Sequence, residues 1–139
     1  MGAAPTETLH FDTQVAPVLT KAGCNAGACH GAAAGRGGFH LSLYGSNPEA
    51  DYRAIVRHRG GRRVNLSNPA ASLLLLKPTG LLDHGGGYRL DPEQSGAKRL
   101  LHWIEQGAVR GSPRRLVRFH VQPSSYLASK TGEQVKIRA

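Results

Sequence analysis

The sequence predicts a mostly α-helical domain followed by a short β segment, and three observations support this. Apolar residues recur at helical spacing early in the chain and again shortly before residue 108. Two Asn-Pro pairs between these stretches are typical of helix starts. Residues 116–123 and 133–139 alternate apolar and polar side chains, as β-strands do. We therefore divide the chain into a disordered lead-in (1–8), a helical domain (9–112) and the start of a truncated β-sandwich domain (113–139).

The first helix is expected between His10 and Gly23. Its apolar side chains fall on one face of a helix: Phe11, Val15, Val18 and Leu19. Asp12 is the expected N-cap, because its carboxylate can accept a hydrogen bond from a free backbone N–H of the first turn. Pro17 lies inside the pattern and predicts a kink, since proline has no N–H to donate.

The middle of the chain predicts short elements separated by loops. Residues 39–45 (FHLSLYG) alternate, which indicates an extended segment with one buried face. Its inward residues would be Phe39, Leu41 and Leu43. Each Asn-Pro pair opens a helix, the first over 48–57 and the second over 69–77. The glycine-rich stretch 81–90 (LLDHGGGYRL) is expected to be a loop.

The last helix has the most complete sequence pattern. Asp91 is its expected N-cap, Pro92 takes the first helical position and Gln94 completes a capping box. Gly107 lies near its C-terminus. The apolar stripe consists of Ala97, Leu100, Leu101, Ile104 and Ala108.

Composition limits the possible functions. Only 40% of the residues are hydrophobic and 6% aromatic, which is a small core that a cofactor, metal or disulfide would complete. The longest leucine run, 73–76, is far too short to span a membrane. A net charge of +9 suggests nucleic acid as a partner, but the arginines are scattered and no aromatic interleaving accompanies the cluster at 57–63. We therefore expect the basic residues to be solvated or to bind a carboxylate ligand.

The stretch CNAGACH, residues 24–30, contains both cysteines of the chain. A disulfide between Cys24 and Cys29 would close a loop too short to constrain the unfolded chain much. A zinc site would need adjacent Cys29 and His30 to bind one tetrahedral ion, and neighbouring side chains tend to diverge. Covalent haem uses two thiols and an adjacent histidine, usually spaced C-x-x-C-H. The spacing here is C-x4-C-H, and the four inserted residues are small enough to loop away from a haem. The motif favours haem and leaves the other two interpretations open.

The context of the motif resembles the planctomycete-type cytochrome c domain over about residues 9 to 110. The residues that carry this resemblance are VAPVLTKAGCNAGACHG, GRGGFHLSLYG, DYRAI, GRRV, NPAASLLLLKPTG, HGGGYRL and LLHWIEQGA. It implies one covalent haem c per chain, first and last helices that cross beside the haem, and an immunoglobulin-like β domain after them. It also implies a periplasmic or secreted protein, with this chain as a mature segment carrying an added start methionine.

The resemblance makes His30 the proximal ligand of the iron. Relatives often take the distal ligand from a Met-Pro-Pro stretch before the last helix, but the only methionine here is Met1. His84 stands where that methionine would be, which predicts bis-histidine ligation. His40, His58 or an open iron are the alternatives.

The remaining site residues follow from the shape and charge of haem. The expected apolar lining comprises Phe39, Leu41, Leu74 with its neighbouring leucines, Leu100, Trp103 and Ile104. Arg62, Arg63 and Arg89 are candidates for binding the propionates.

The expected function is one-electron transfer, without enzymatic activity, to a redox partner that is acidic because this chain is basic. The alternatives are a haem-based sensor with an open distal site, and a structural zinc or disulfide-stabilised interaction domain.

Overall fold

The computed structural model describes residues 8–112 and 117–138. Most of the lead-in (1–7), the start of the C-terminal segment (113–116) and residue 139 lie outside these ranges. In the described part the regular elements are all helical, which agrees with the predicted α-rich class. The α-helices are α1 (Ala16–Lys21), α2 (Pro48–Val56), α3 (Leu73–Leu76) and α4 (Ser95–Glu105). Short 3₁₀ turns span Leu43–Gly45, His58–Gly61 and Pro69–Ala71.

The first helix begins as a π-helical turn, Phe11–Val15, which continues into α1. Pro17 lies in the first turn of α1, so the missing N–H falls where the helix changes its hydrogen-bonding pattern. The predicted N-cap is wrong: His10 occupies that position and makes no side-chain capping bond. The carboxylate of Asp12 instead accepts two hydrogen bonds from Arg110.

The predicted extended segment at 39–45 is only partly correct. Leu41 is buried, but Leu43 is 49% exposed and starts a 3₁₀ turn. Tyr44 then adopts a positive φ of 52°, which ends the alternation. The turn is held from α2, where the Asp51 carboxylate accepts hydrogen bonds from the backbone N–H and the hydroxyl of Ser42.

The two Asn-Pro helices differ. α2 forms as predicted, and the side chain of Asn47 caps it. The second is divided, because Ser72 has an extended backbone (ψ 132°) between the 3₁₀ turn at Pro69–Ala71 and α3. Its hydroxyl accepts a hydrogen bond from the backbone N–H of Asn65 across the preceding loop, which holds the chain at this break.

The last helix, α4, begins later than predicted. Asp91 accepts a hydrogen bond from the backbone N–H of Glu93 in a local turn, so it does not cap α4. Gln94 is at the N-cap position and makes no side-chain capping bond, so the predicted capping box is wrong. The apolar stripe is confirmed at its buried positions, which are Ala97, Leu100, Ile104 and Ala108.

An aromatic cluster joins the helices. The ring of Phe11 lies 5.4 Å from that of Tyr52 and 5.5 Å from that of Trp103, measured between centroids. Trp103 is fully buried, and its indole N–H donates to the carbonyl of Val109 at 2.8 Å. The cluster brings together the first helix, α2 and α4.

The C-terminal segment is described from 117 to 138. The two predicted strands meet there through an isolated antiparallel bridge between Gln122 and Arg138, but within this range no strand forms. Apolar side chains such as Val117 (92% exposed) and Leu127 (95% exposed) are not buried. None of the helices in the described ranges is long and apolar enough to cross a membrane.

Candidate functional site

A cavity of about 680 Å³ opens between the cysteine-containing loop, α3 and the glycine-rich loop at 81–90. Most of the residues proposed from sequence to bind the cofactor line it, and the exceptions lie on α4 or later in the leucine run. Those that line it include Cys24, Cys29, His30, Phe39, Leu41, Arg62, Arg63, Leu74, His84 and Arg89. Segments far apart in sequence therefore meet around one space.

Cys24 is positioned by the end of α1. Gly23, with a φ of +72°, lets the chain leave the helix, and the N–H of Cys24 donates to the carbonyl of Leu19 at 2.9 Å. The N–H of His30 donates back to the carbonyl of Cys24 at 3.0 Å and so closes the loop between the cysteines. This closure presents both thiols and the imidazole to the cavity.

The four residues between the cysteines do not all turn away from the cavity as expected. Ala28 lines it. Asn25 is 2% exposed and points into the protein, where its amide donates to the hydroxyl of Thr20 at 2.9 Å. Its backbone carbonyl accepts a hydrogen bond from the N–H of Tyr44. The insertion is therefore part of the packed structure.

The two thiols are free and do not form a disulfide. Burial raises the pKa of Cys24 to about 11; the nearby Cys29 raises it further and Arg89 partly opposes the shift. A guanidinium nitrogen (Nη2) of Arg89 lies 3.9 Å from the Cys29 sulfur. Cys24 is therefore a protonated thiol at neutral pH in the protein without cofactor.

His30 has a fixed orientation. Its Nδ1 lies 3.2 Å from the carbonyl oxygen of Phe39, and the two rings are 4.6 Å apart. Because a carbonyl oxygen can only accept, Nδ1 carries the proton and Nε2 keeps its lone pair. Burial lowers the pKa of His30 and the hydrogen bond to Phe39 partly opposes this, so the lone pair stays available at neutral pH.

His84, in the glycine-rich loop at 81–90, is oriented in the same way as His30. Its Nδ1 donates to the carbonyl of Gly87 at 3.0 Å, which again leaves Nε2 as the free nitrogen. The rings of His30 and His84 are nearly parallel, at 18°, with centroids 6.1 Å apart. A first-row metal binds imidazole nitrogen at about 2.0 to 2.1 Å, so two imidazoles on opposite sides of one ion have centroids roughly 6 Å apart. The two rings are therefore separated by about the distance expected for two imidazoles bound to one metal ion.

The cavity is strongly cationic. Five basic side chains line it, namely Arg36, Arg62, Arg63, Lys77 and Arg89, and no Asp or Glu is among its described lining residues. Arg62 is exposed and its side chain makes no hydrogen bond within the described ranges. The site thus offers an apolar surface and unpaired cations to one ligand, which fits the flat hydrophobic ring and two carboxylates of haem.

Arg63 serves the fold as well. It is 8% exposed, donates to the carbonyls of Ala54 (3.0 Å) and Gly38 (3.1 Å), and lies 4.2 Å from the centroid of the Phe39 ring. Burial lowers its pKa, and the neighbouring Arg62 and Arg59 lower it further. With most of its donors used by backbone carbonyls, Arg63 has little capacity left for a propionate.

Several expected residues lie elsewhere. Trp103 does not line the cavity, because its ring packs with Phe11 and Tyr52. The α4 residues Leu100 and Ile104 belong to the buried core and are likewise absent from the lining. His40 and His58, the alternative ligands, are exposed and outside it.

The structure adds lining residues that sequence reasoning missed. Arg36 follows a glycine- and alanine-rich loop, and Lys77 follows the leucine run. Leu19 had been assigned only to the apolar face of the first helix, yet it also forms part of the cavity wall. A cation next to a glycine-rich or apolar stretch was the only available signal, and it is weak.

No family model, curated protein or solved structure matches the chain. Among the residues that the structure describes, no group of three or more His, Cys, Asp or Glu side chains is arranged to hold a metal ion.

Proposed function

We propose that this chain is a monohaem c-type cytochrome domain that transfers one electron. Cys24 and Cys29 bind the haem as thioethers, His30 is the proximal ligand and His84 the distal one. In attachment each thiol adds across one vinyl group, sulfur to one carbon and hydrogen to the other, so no oxidant is consumed. The haem supplies the one-electron redox couple.

The observation that carries this proposal is the pair of imidazoles beside the two thiols. Each ring donates Nδ1–H to a backbone carbonyl, which is the usual outer-sphere support of a metal-binding histidine. This support fixes the tautomer and leaves an unprotonated Nε2 on both of these cavity-lining residues. Two imidazoles also favour a lower potential than a histidine and a methionine would.

The cations around the cavity match the two propionates. Arg62 is the best candidate, because its side chain is exposed and makes no hydrogen bond among the described residues. The overall charge of +9 favours an acidic redox partner, since opposite charges speed the encounter of two proteins. On this proposal the domain works outside the cytoplasm, where covalent haem attachment takes place.

The test is expression in a host with cytochrome c maturation, followed by an alkaline pyridine haemochrome spectrum. We expect the α-band of haem with two thioethers in the unmodified chain, and a band shifted to the red in C24A or C29A. A properly matured but colourless protein that binds zinc would contradict the proposal and support the structural metal site.

The distal ligand is tested in the same preparation. H84A is expected to lose the low-spin spectrum and to bind carbon monoxide rapidly when reduced, whereas H58A and H40A are matched controls that leave both unchanged. If H84A retained the low-spin spectrum, His84 would not be the ligand.

A second function, a sensor with an open distal site, is favoured by one observation. His84 belongs to a loop without regular structure, and its ring is held by a carbonyl of the same loop. Fast, stoichiometric carbon monoxide binding by the unmodified reduced protein would support the sensor and contradict bis-histidine ligation.

A further inference from the structure

We infer that Arg89 is a positioning residue that holds the His84 loop (residues 83–89) against the cysteine-containing loop, and so controls access to the distal side of the haem. The inference rests on the proposed function. It assigns to Arg89 a role different from the propionate binding expected from sequence.

The Arg89 side chain contacts both loops. Its Nε donates to the carbonyl of Gly86 at 2.7 Å, and its Nη2 lies 3.9 Å from the sulfur of Cys29. Its backbone N–H donates to the carbonyl of Pro78 at 2.7 Å, which anchors the arginine beside α3. Two of its three guanidinium nitrogens are therefore directed at the loops, which leaves Arg62 as the freer cation for a propionate.

The two histidines are supported unequally. His30 is bonded to the carbonyl of Phe39, nine residues away, and its own carbonyl accepts from the N–H of Leu41 at 2.8 Å. His84 bonds only within its loop, through Nδ1 to the carbonyl of Gly87 and through its carbonyl to the N–H of the same glycine. Its distance from His30 thus depends on what holds the loop as a whole.

Arg89 provides the link to the opposite side of the cavity. The loop is also bonded to the α3 region, where Lys77 donates to the carbonyl of Asp83 at 2.8 Å. Among the hydrogen bonds of the described residues, that of Arg89 to Cys29 is the one that joins the His84 loop to residues 24–31. Loss of the guanidinium would leave the loop attached to α3 but free to move away from the motif.

Gly86 gives an independent way to displace the same ring. A Cβ at this position would lie 2.9 Å from Cε1 and 3.2 Å from Nε2 of His84, so an alanine must push the imidazole. G86A therefore displaces His84 without removing the Arg89 guanidinium, whose Nε is bonded to the backbone carbonyl of residue 86.

The experiment uses the holoprotein and the variants R89K, R99K and G86A. Lysine keeps the positive charge but has no Nε–H that can donate to Gly86 while the side chain also reaches Cys29. The readouts are the low-spin fraction and the rate of carbon monoxide binding to the dithionite-reduced protein. R89K should bind about fivefold faster, the change expected for one lost hydrogen bond. G86A should also bind faster, and R99K, at an exposed position outside the cavity, should match the unmodified chain.

The outcomes separate the inference from the proposed function. Unchanged binding in R89K, with a low-spin bis-histidine spectrum in the unmodified protein, would overturn the role of Arg89 alone. A high-spin unmodified protein would overturn the His84 assignment itself. If R89K failed to retain haem, two other measurements would test the role of Arg89: the melting temperature of R89K without haem, and the rate of carbon monoxide binding by G86A. An unchanged melting temperature of R89K, together with faster carbon monoxide binding by G86A, supports the inference. Carbon monoxide binding by G86A as slow as in the unmodified chain contradicts it.

Discussion

At the scale of single residues, the carbonyl partners of His30 and His84 decide which ring nitrogen keeps its lone pair. The carbonyl oxygens of Phe39 and Gly87 each accept a hydrogen bond from Nδ1–H, so Nε2 of both rings is unprotonated. The exposed competitors His40 and His58 lie outside the cavity. Nδ1 of His10 also lies 3.1 Å from a backbone carbonyl oxygen, that of Ser112, so it is the position in the cavity lining that distinguishes His30 and His84.

Gly31 illustrates how closely the cysteine-containing loop is packed. A Cβ there would lie 2.1 Å from the carbonyl oxygen of Asn25, whereas one at Gly27 would meet only a Leu43 methyl at 3.9 Å. We expect G31A to lower the free energy of unfolding by about 1 to 3 kcal/mol and to reduce haem attachment. G27A, the matched control, should change neither. Urea unfolding and haem content test this, and equal behaviour of the two variants would contradict it.

The raised pKa of Cys24 predicts how the thiol reacts before haem attachment. Its pKa of about 11 in the folded chain exceeds the ordinary value of 9.0. At pH 8 the folded chain should therefore alkylate at Cys24 about 100-fold more slowly than the urea-unfolded chain, because the thiolate is the nucleophile. Iodoacetamide labelling followed by tandem mass spectrometry measures this, and equal rates would contradict it.

The raised pKa of Cys24 also predicts how the free energy of unfolding changes with pH. A folded-state pKa above the unfolded value means that the unfolded chain loses its proton first. The contribution of Cys24 is then complete below pH 9 and declines as the pH rises toward 11. C24A without haem should show a smaller decline in unfolding free energy over this range than the unmodified chain without haem.

A site residue could be predicted from the sequence only where neighbouring residues in the chain indicate its role. Cys24, Cys29 and His30 lie within seven positions and their chemistry is visible in the sequence. His84 required the resemblance, and Arg36 and Lys77 had no distinguishing pattern. Trp103 was misassigned because an apolar residue on a helix near a cofactor cannot be told from one in the core by sequence alone.

At the scale of elements, an ion pair links the first helix to the chain after α4. Arg110 donates from Nε and Nη2 to the two carboxylate oxygens of Asp12, at 3.1 and 3.0 Å, and the N–H of Phe11 donates to the carbonyl of Arg110. Both side chains of the pair are less than one-third exposed. The carboxylate raises the pKa of Arg110 through its hydrogen bond and its charge.

We expect D12N to lower the free energy of unfolding by about 1 kcal/mol at low salt, because a half-buried bidentate ion pair stabilises the fold more than an exposed pair does. The loss should be smaller at high salt, because salt screens the attraction between the two charges. The matched control is E93Q, which removes the exposed pair between Glu93 and Lys98 and should have little effect. Urea titrations at two salt concentrations test this. An equal loss in both variants would contradict the special role of the Asp12 pair.

The sequence predicted where α2 and α4 lie, but it did not predict the caps of the first and last helices. α2 and the apolar stripe of α4 followed their sequence patterns, since those patterns depend on neighbouring residues. Asp12 and Asp91 both looked like N-caps, yet one carboxylate is used by a distant arginine and the other by a local turn. Capping competes with tertiary partners that a sequence does not reveal.

At the scale of the whole molecule, the buried residues of the described chain all lie between Phe11 and Ala108. In the 117–138 range every side chain is exposed or partly exposed, and a single bridge joins the predicted strands. An isolated pair of strands is marginal in water without a sheet to complete it. The helical domain is thus expected to be stable without the C-terminal segment.

A chain ending at Ser112 tests this independence. We expect it to keep the haemochrome spectrum and to melt within about 2 °C of the full chain, because no side chain in 117–138 is buried. A loss of about 1 kcal/mol in unfolding free energy would shift the melting temperature by more than this. It should also aggregate less, since exposed side chains such as Phe119 and Ile137 are removed. The control ends at Val109, which deletes Arg110 and its ion pair with Asp12, and it should melt lower. If both truncations melted equally low, the C-terminal segment would contribute to the stability of the helical domain.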